Sequence, residues 1–306
     1  MQIIIFSYNR ACQLSVLIES LLNHLGGTEN EIDVIYNTSN NKFEEGYSRL
    51  KSILSQHDNI CFYKEHPVSF CYHHTWRELT NLYNLKLLYL CPFLRKSKTN
   101  FRKLLLKILG DSKADSVMFL TDDAIFIKEC GIDNNVDRWI AEVPAQRQYS
   151  FRHGRETITS EEKISCTNKG YSWNFSDFER DNHWGYNFSL DAHVYNAKYM
   201  YRFLSRISFS NPNTLESSGT LHAGKRGLFQ LGLCAYSMSI LSFPINIVQT
   251  TFCNAALKAS PELLNDYFLQ GYKLELPIPK YYNTFQIYPE VIVLRKGDEE
   301  KRINIK

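Results

Sequence analysis

Apolar and polar positions alternate in blocks along the first part of the chain. Ile3 to Phe6 is a short unbroken apolar run, which predicts a buried strand. The polar turn Ser7-Tyr8-Asn9-Arg10 follows. Leu14, Leu17, Ile18, Leu21, Leu22 and Leu25 then recur at i, i+3, i+4, i+7, i+8 and i+11, one stripe of an amphipathic helix, with Gly26-Gly27 ending it. Ile32 to Tyr36 and Ile60 to Tyr63 predict two further strands. Between them, Phe43 to Leu54 predicts a helix with Tyr47, Leu50 and Leu54 on one face. Strand, helix, strand, helix, strand at this spacing predicts a parallel sheet covered by helices.

Helices are predicted over Thr75–Leu94 and Phe101–Leu109, with the basic stretch Arg95-Lys96-Ser97-Lys98 between them. Ser116 to Leu120 is a buried strand that runs into Thr121-Asp122-Asp123. Ala124–Ile127 is apolar again, and Val136–Val143 predicts a short helix. From Gln148 the pattern turns strand-like and aromatic, through Tyr149-Ser150-Phe151-Arg152, Tyr171-Ser172-Trp173-Asn174-Phe175 and His183–Tyr195. Helices follow at Tyr199–Ile207 and from Pro212 to Ser217. A buried helix is predicted over Leu228–Leu241 and a strand over Phe243–Val248. Pro261–Gln270 is a helix with Ser260 as N-cap, Pro261 in its first turn and Gly271 beyond its end. The charged tail from Gly297 to Lys306 is expected to fray. The change near residue 145 marks a lobe boundary. It divides a nucleotide-binding half, 1–145, from an acceptor-binding and C-terminal half, 146–306, within one continuous unit.

Composition narrows the class. The chain has 306 residues, 44% apolar and 22% charged, which excludes disorder and low-complexity fibres. Charges nearly balance, at 35 Lys+Arg against 32 Asp+Glu, so no electrostatic case for nucleic acid exists. The opening residues do not read as a secretion signal. The eight cysteines include no C-x-x-C pair and are expected to be reduced thiols of a cytosolic protein. Cys71-Tyr72-His73-His74 lacks a second half at zinc-finger spacing. Tyr, Phe and Trp reach 14%, an excess suited to strands, cores and sugar-stacking surfaces.

The informative chemistry is Asp122-Asp123 at a strand's carboxyl end, where ligands of open α/β sheets bind. Adjacent carboxylates repel unless a cation lies there, and a hard divalent ion bridging to phosphates fits. Ser7-Tyr8-Asn9-Arg10 opens a helix, a place that favours anions. Neither G-x-G-x-x-G nor a P-loop occurs.

With these residues the chain resembles GT-A-fold glycosyltransferases, in particular bacterial enzymes of capsule, O-antigen and lipopolysaccharide synthesis. Further segments carry the likeness: Tyr149–Arg152, Phe188-Ser189-Leu190-Asp191-Ala192-His193, Asn211-Pro212-Asn213-Thr214-Leu215-Glu216 and Pro244-Ile245-Asn246-Ile247-Val248-Gln249. The resemblance implies an α/β fold with a Rossmann-type nucleotide-binding half, a mixed sheet and an aromatic-rich acceptor half. It implies sugar transfer from a nucleoside-diphosphate sugar to a glycan or lipid-linked glycan, with Mn²⁺ or Mg²⁺. By position, Ser7, Tyr8, Asn9 and Arg10 would line the nucleoside pocket, with Asn37 and Ser39 beside the base or ribose. Asp123 would be the direct metal ligand, with Asp122 on the ribose or on a metal-bound water, and His222 as a further metal partner. Thr121 stands where a strict D-x-D motif has its first Asp.

Glu216, after the β-rich insert, fits a general base, and Asp191 is the competing carboxylate. His193 and His222 are candidates for metal or diphosphate, Arg152, Arg155, Lys225 and Arg226 for phosphate, and Trp173, Trp184 and Tyr186 for stacking on a sugar. A nucleotidyltransferase that makes sugar nucleotides, or a non-catalytic sugar or nucleotide binder, are the other classes. The expected location is cytoplasmic, with peripheral contact at the inner face of the membrane left open by the basic, apolar Leu94–Lys107 region.

Overall fold

The computed structural model describes residues 1–26, 30–68, 99–179, 182–246 and 259–305. The Cys71–His74 cluster, the Thr75–Leu94 helix, the Arg95–Lys98 stretch and Ile247-Val248-Gln249 lie outside the described residues.

Strands β1 (Gln2–Tyr8), β2 (Glu31–Asn37), β3 (Ile60–Lys64) and β4 (Ser116–Thr121) are parallel, in the spatial order β3-β2-β1-β4. The unbroken apolar run of β1 has a simple cause. Ile3 and Ile5 pack with Leu14, Leu17, Ile18 and Leu21 of α1 (Ala11–His24) and with Tyr47 and Leu50 of α2 (Asn41–Ile53). Ile4 and Phe6, on the opposite face, pack with Phe101, Leu105, Ile108 and Leu109 of α3 (Phe101–Asp111). A strand covered on both faces has no polar side to alternate with. Asn40 caps α2 by accepting a hydrogen bond from the Phe43 N–H at 3.1 Å.

After β4 come the short β5 (Ala124–Phe126) and α4 (Asn134–Glu142), the latter capped by Asp133. The sheet then grows sideways from β4. It adds, in spatial order, β9 (His193–Asn196), β6 (Arg147–Ser150), β10 (Leu231–Cys234), β8 (Gly170–Asn174) and β7 (Ile164–Thr167), making nine strands in all. β9 runs antiparallel to both β4 and β6, so the sheet is mixed. One sheet therefore crosses residue 145 without a break. β11 (Ile240–Ser242) pairs with β5, and a separate antiparallel sheet joins β12 (Lys273–Glu275), β13 (Val291–Lys296) and β14 (Glu299–Asn304). The remaining helices are α5 (Ala197–Leu204), α6 (Pro212–Arg226) and α7 (Pro261–Leu269). No helix of the described residues is long and apolar enough to cross a membrane.

Four expectations are corrected, the first being the strand over Phe243–Val248: its described residues, 243–246, lie beyond β11 and in no strand. Leu228–Leu241 is not a helix but contains β10 and part of β11. β10 is inserted between β6 and β8 with three of its four residues buried, and such an apolar run carries no period that separates strand from helix. The helix beginning at Pro212 continues to Arg226. Ser217, Ser218, Gly219 and Thr220 are weak helix formers that disguise it in the sequence. It ends at Gly227, which holds the left-handed conformation (φ 59°). The charged tail is a strand: β14 pairs with β13, setting Ile303 against Ile292 and Glu300 against Arg295. Cross-strand charge pairs support it where apolar burial is sparse.

Gly232 is a tight point of the mixed half, because a methyl there would stand 2.3 Å from the buried Trp173 indole. Gly232→Ala is expected to destabilise the chain by ~1–3 kcal/mol through overpacking. A urea melt checks this, and an unchanged midpoint would contradict the packing described.

Candidate active site

The strand order β3-β2-β1-β4 reverses direction between β1 and β4. The carboxyl ends of strands at such a reversal are the place where sheets of this kind take ligands. Ser7-Tyr8-Asn9-Arg10 leaves one of these ends and Thr121-Asp122-Asp123 the other.

Asp122 is turned inward and is only 4% exposed. Its Oδ2 accepts from the Ser7 hydroxyl at 2.8 Å and from the Tyr8 N–H at 3.2 Å. Its Oδ1 accepts from Arg10 Nη1 at 2.9 Å. Arg10 also donates from Nε to Asn246 Oδ1 at 2.7 Å, and from Nη2 to the Asn246 carbonyl. Burial pushes the Asp122 carboxyl up from its ordinary value, while the Arg10 charge pulls it back. Desolvation opposes the Arg10 charge, but Asp122 and Asp123 outweigh it and leave the guanidinium's pKa raised. The Tyr47 hydroxyl completes the knot, 2.6 Å from the Ser7 hydroxyl and accepting from the Arg10 N–H at 3.3 Å.

Beside this knot, Asn9 adopts a left-handed backbone (φ 57°), which Asn tolerates better than most residues. It exchanges two hydrogen bonds of 2.9 Å with Ser39, and its N–H donates to the Asn37 carbonyl at 3.2 Å. The ends of β1 and β2 are thereby tied together, with Ser39 exposed and Tyr8 37% exposed at the rim. The nucleoside-pocket residues expected from the sequence are thus brought together.

Asp123 faces the other way. The Thr121 hydroxyl lies 2.8 Å from Asp123 Oδ1 and 3.0 Å from Asp191 Oδ1. One hydroxyl proton cannot serve both carboxylates at once, so the two compete for a single donor. Arg152 Nη1 donates to Asp191 Oδ2 at 3.1 Å and to Ser189 Oγ at 3.2 Å. Burial pushes the Asp191 carboxyl up, Arg152 pulls it down, and Asp123 pushes it up again. Glu216, one turn into α6, accepts from the Leu190 N–H at 3.1 Å. Burial and the neighbouring Asp191 charge push its carboxyl up to about 7. Tyr186 is half-buried, and its hydroxyl feels the charges of both Glu216 and Asp191.

Other expected site residues lie elsewhere. His222 is on the buried face of α6, with Nδ1 2.8 Å from the Ser218 carbonyl one turn back. Among the described residues no group of three or more His, Cys, Asp and Glu side chains is arranged to hold a metal, so Asp122, Asp123 and His222 do not form one. His193 is fully buried, between Gln148 and Ser150. Lys225 and Arg226 are exposed in the last turn of α6, ~14 Å along the helix axis from Glu216. Trp173 and Trp184 are core residues, 4% and 1% exposed. Tyr47, Asn246 and Phe285 belong to the site and were not picked out from the sequence. Asn246, a lone polar residue in an apolar run, carried the one signal.

No family model matches the chain, and no curated protein matches it. Among solved structures it is similar to S. aureus TarS (11% identity, 80% of this chain and 37% of that one, TM-score 0.44). S. aureus TarS in complex with UDP aligns at 12% identity, over 78% of this chain and 60% of that one, with a TM-score of 0.44. Galactosyltransferase LgtC in complex with donor and acceptor sugar analogues aligns at 13% identity, over 66% of this chain and 60% of that one, with a TM-score of 0.32. The chain thus spans 37% to 60% of the length of these proteins.

Behind Arg152 lie two buried histidines. His153 is bonded to the Ser150 hydroxyl at 2.8 Å and to the His183 carbonyl at 3.1 Å, and His193 shares the same Ser150 hydroxyl at 3.1 Å. Burial, reinforced by the Arg152 charge, holds both rings well below their ordinary value of 6.5. The folded state keeps them neutral while the unfolded chain takes up protons, so they favour folding above about pH 6.5 and lose that contribution as pH falls. The urea midpoint is therefore expected to decline below about pH 6.5, and less steeply in His193→Gln. Parallel pH profiles of the two proteins would show that His193 is not held neutral.

Proposed function

We propose that this chain transfers a sugar from a nucleoside-diphosphate sugar to a hydroxyl of a glycan or lipid-linked glycan, assisted by Mn²⁺ or Mg²⁺. The observation that carries this reading is the convergence of Asp123, Asp191 and Glu216 at the reversal point of the sheet, beside the knotted β1 turn. In it, Ser7, Tyr8, Asn9 and Arg10 with Asn37 and Ser39 form the nucleoside side, and the three carboxyls form the reacting side.

What the described residues offer a hard divalent cation is a single carboxylate. Asp123 offers carboxylate oxygen, has no ion pair of its own among the described residues, and competes with Asp191 for one hydroxyl proton. Asp123 would hold the metal, with diphosphate and water completing its shell, as is usual for Mg²⁺. When bound, the metal supplies charge stabilisation to the leaving diphosphate. Asp122 is engaged by Ser7, Tyr8 and Arg10, so in this reading it steadies the pocket from behind and does not itself reach the ribose or metal. Glu216 is the better general base of the two candidates. Its carboxyl sits near neutrality and faces no direct cation, whereas Asp191 is ion-paired with Arg152. A base poised near the working pH removes the acceptor proton most effectively. Asp191 then orients the acceptor or the donor sugar, and Tyr186 is the ring placed to touch it.

A thermal-shift screen of UDP-, GDP- and dTDP-sugars with and without Mn²⁺ tests the class. A rise in midpoint with one donor only when metal is present, followed by release of the nucleoside diphosphate, is the expected result. Pyrophosphate release from a nucleoside triphosphate would instead identify a nucleotidyltransferase, and binding without turnover a non-catalytic binder. Asp123→Ala is expected to abolish the metal-dependent part of both the shift and the transfer while leaving the urea midpoint in place. Full metal-dependent activity in that variant would remove Asp123 from the metal site.

Glu216→Gln is expected to lower kcat by ~10²–10⁴ with donor KM unchanged. In the wild type, kcat should rise with pH through a midpoint of about 7 as Glu216 loses its proton. That limb should vanish in the Gln variant, and a surviving limb would assign the base elsewhere.

A further inference from the structure

We infer that Arg152 is a positioning residue, pinning the Ser189–Ala192 turn and through it placing both Asp191 and Glu216. The catalytic consequence rests on the glycosyl-transfer reading above. The placement itself does not.

The turn carries both carboxyls in different ways. Asp191 belongs to it, and Glu216 hangs from it through the Leu190 N–H at 3.1 Å. Ser189 Oγ accepts from the Asp191 N–H at 3.1 Å and from Arg152 Nη1 at 3.2 Å, while Arg152 Nη1 also reaches Asp191 Oδ2 at 3.1 Å. A single guanidinium nitrogen therefore grips the turn at its first residue and at its carboxylate. On the other side the Tyr195 hydroxyl donates to the Ser189 carbonyl at 3.0 Å and accepts from the Ser189 N–H at 2.9 Å. The turn ends at Ala192, a fully buried residue in the left-handed conformation at φ 57°. That conformation is strained for alanine and persists only where the surroundings hold it. Ala192 is held through its N–H to the Phe119 carbonyl at 2.9 Å and its carbonyl to the Phe151 N–H at 3.0 Å.

Arg152 is an unfavourable residue for stability alone. It is 4% exposed, and its Nε has no hydrogen-bond partner among the described residues. Its guanidinium lies 4.3 Å over the Phe285 ring and close to neutral imidazoles, with Asp191 as its one ion pair among the described residues. An apolar side chain of like volume in such a place is often neutral or stabilising. What an apolar side chain cannot do is hold Ser189 and Asp191 together. Errors of about 1 Å in the placement of reacting groups cost ~10²-fold in rate.

The test compares full-length R152M and R152K with the wild type. The readouts are hydrogen exchange at the Leu190 and Asp191 amides, thermal midpoints, and release of nucleoside diphosphate from the donor found in the screen with Mn²⁺. R152M should exchange both amides at least about tenfold faster, without a matching loss of global stability. Its kcat should fall ~10²-fold with donor KM within about twofold, and R152K should recover part of both losses. Wild-type exchange in R152M overturns the pin, whether or not any donor turns over. Faster exchange with unchanged kcat overturns the catalytic consequence. If the wild-type chain turns over no sugar nucleotide, the glycosyl-transfer reading falls while exchange still decides the pin. Should R152M not fold, Ser189→Ala removes the hydroxyl that links Arg152 to the Asp191 amide, and it should accelerate exchange at the same two amides. Unaltered exchange there likewise overturns the proposal.

Discussion

The buried Arg10–Asp122 pair is the joint on which the site depends. A carboxylate 4% exposed would take a proton unless donors surrounded it, and here Ser7, the Tyr8 N–H and Arg10 do so. Ser7 and Tyr8 end β1 and Arg10 lies in the turn after it, while the acceptor follows the end of β4, so one ion pair fixes the spacing of the two strand ends. Arg10 extends the joint to Asn246, 236 residues away in the chain. Taking one partner from such a buried pair costs ~3–5 kcal/mol, because the other charge is left in the interior. The next residue, Asp123, inherits its direction from this arrangement: with Asp122 anchored inward, Asp123 turns toward Thr121 and Asp191.

The charges of the site do not cancel. Four carboxyls, Asp122, Asp123, Asp191 and Glu216, stand against the two guanidiniums of Arg10 and Arg152. Each guanidinium is claimed by a different Asp, and the surplus negative charge falls on Asp123 and Glu216. The two places dissipate it differently. Glu216 holds a proton up to about pH 7, which matches a group that gives and takes protons near neutrality. Asp123, beside a competing carboxylate, has no ion pair among the described residues. The two ion pairs also differ in access. The Asp122 side chain is 5% exposed and serves as structure, whereas that of Asp191 is 32% exposed and open to solvent.

The parallel half was legible because its strands are covered on both faces and its first helix repeats Leu at helical spacing. Ile3–Phe6 and Leu14–Leu21 needed no tertiary information. The site was half legible. Two acidic residues after a buried strand announce themselves, but only the fold shows that one is locked and the other open. Arg152 and Asp191 are 39 residues apart, and nothing local to either foretells their pairing. β10 was lost because a largely buried apolar run has no amphipathic period, and the length of α6 because Gly219 is dictated by the Phe188 ring and not by helix propensity. β14 was lost because its stability lies in cross-strand charge pairs, which in one strand read only as a charged tail.

The densest aromatic group of the second half is core, and its contribution to the site is indirect. Trp173, Phe175, Phe178 and Trp184 form one buried cluster, and the ring of His153 lies 4.9 Å from Trp173 and 4.5 Å from Trp184. These rings exclude water from the buried side of Arg152. A charge backed by apolar rings acts through a lower effective dielectric and pulls harder on the partner it keeps. The same exclusion holds His153 and His193 neutral, so no second cation competes with Arg152 for Asp191. Replacing a ring of this cluster with a polar side chain would therefore admit water behind Arg152 and weaken its hold on Asp191, although no ring of the cluster need touch a sugar.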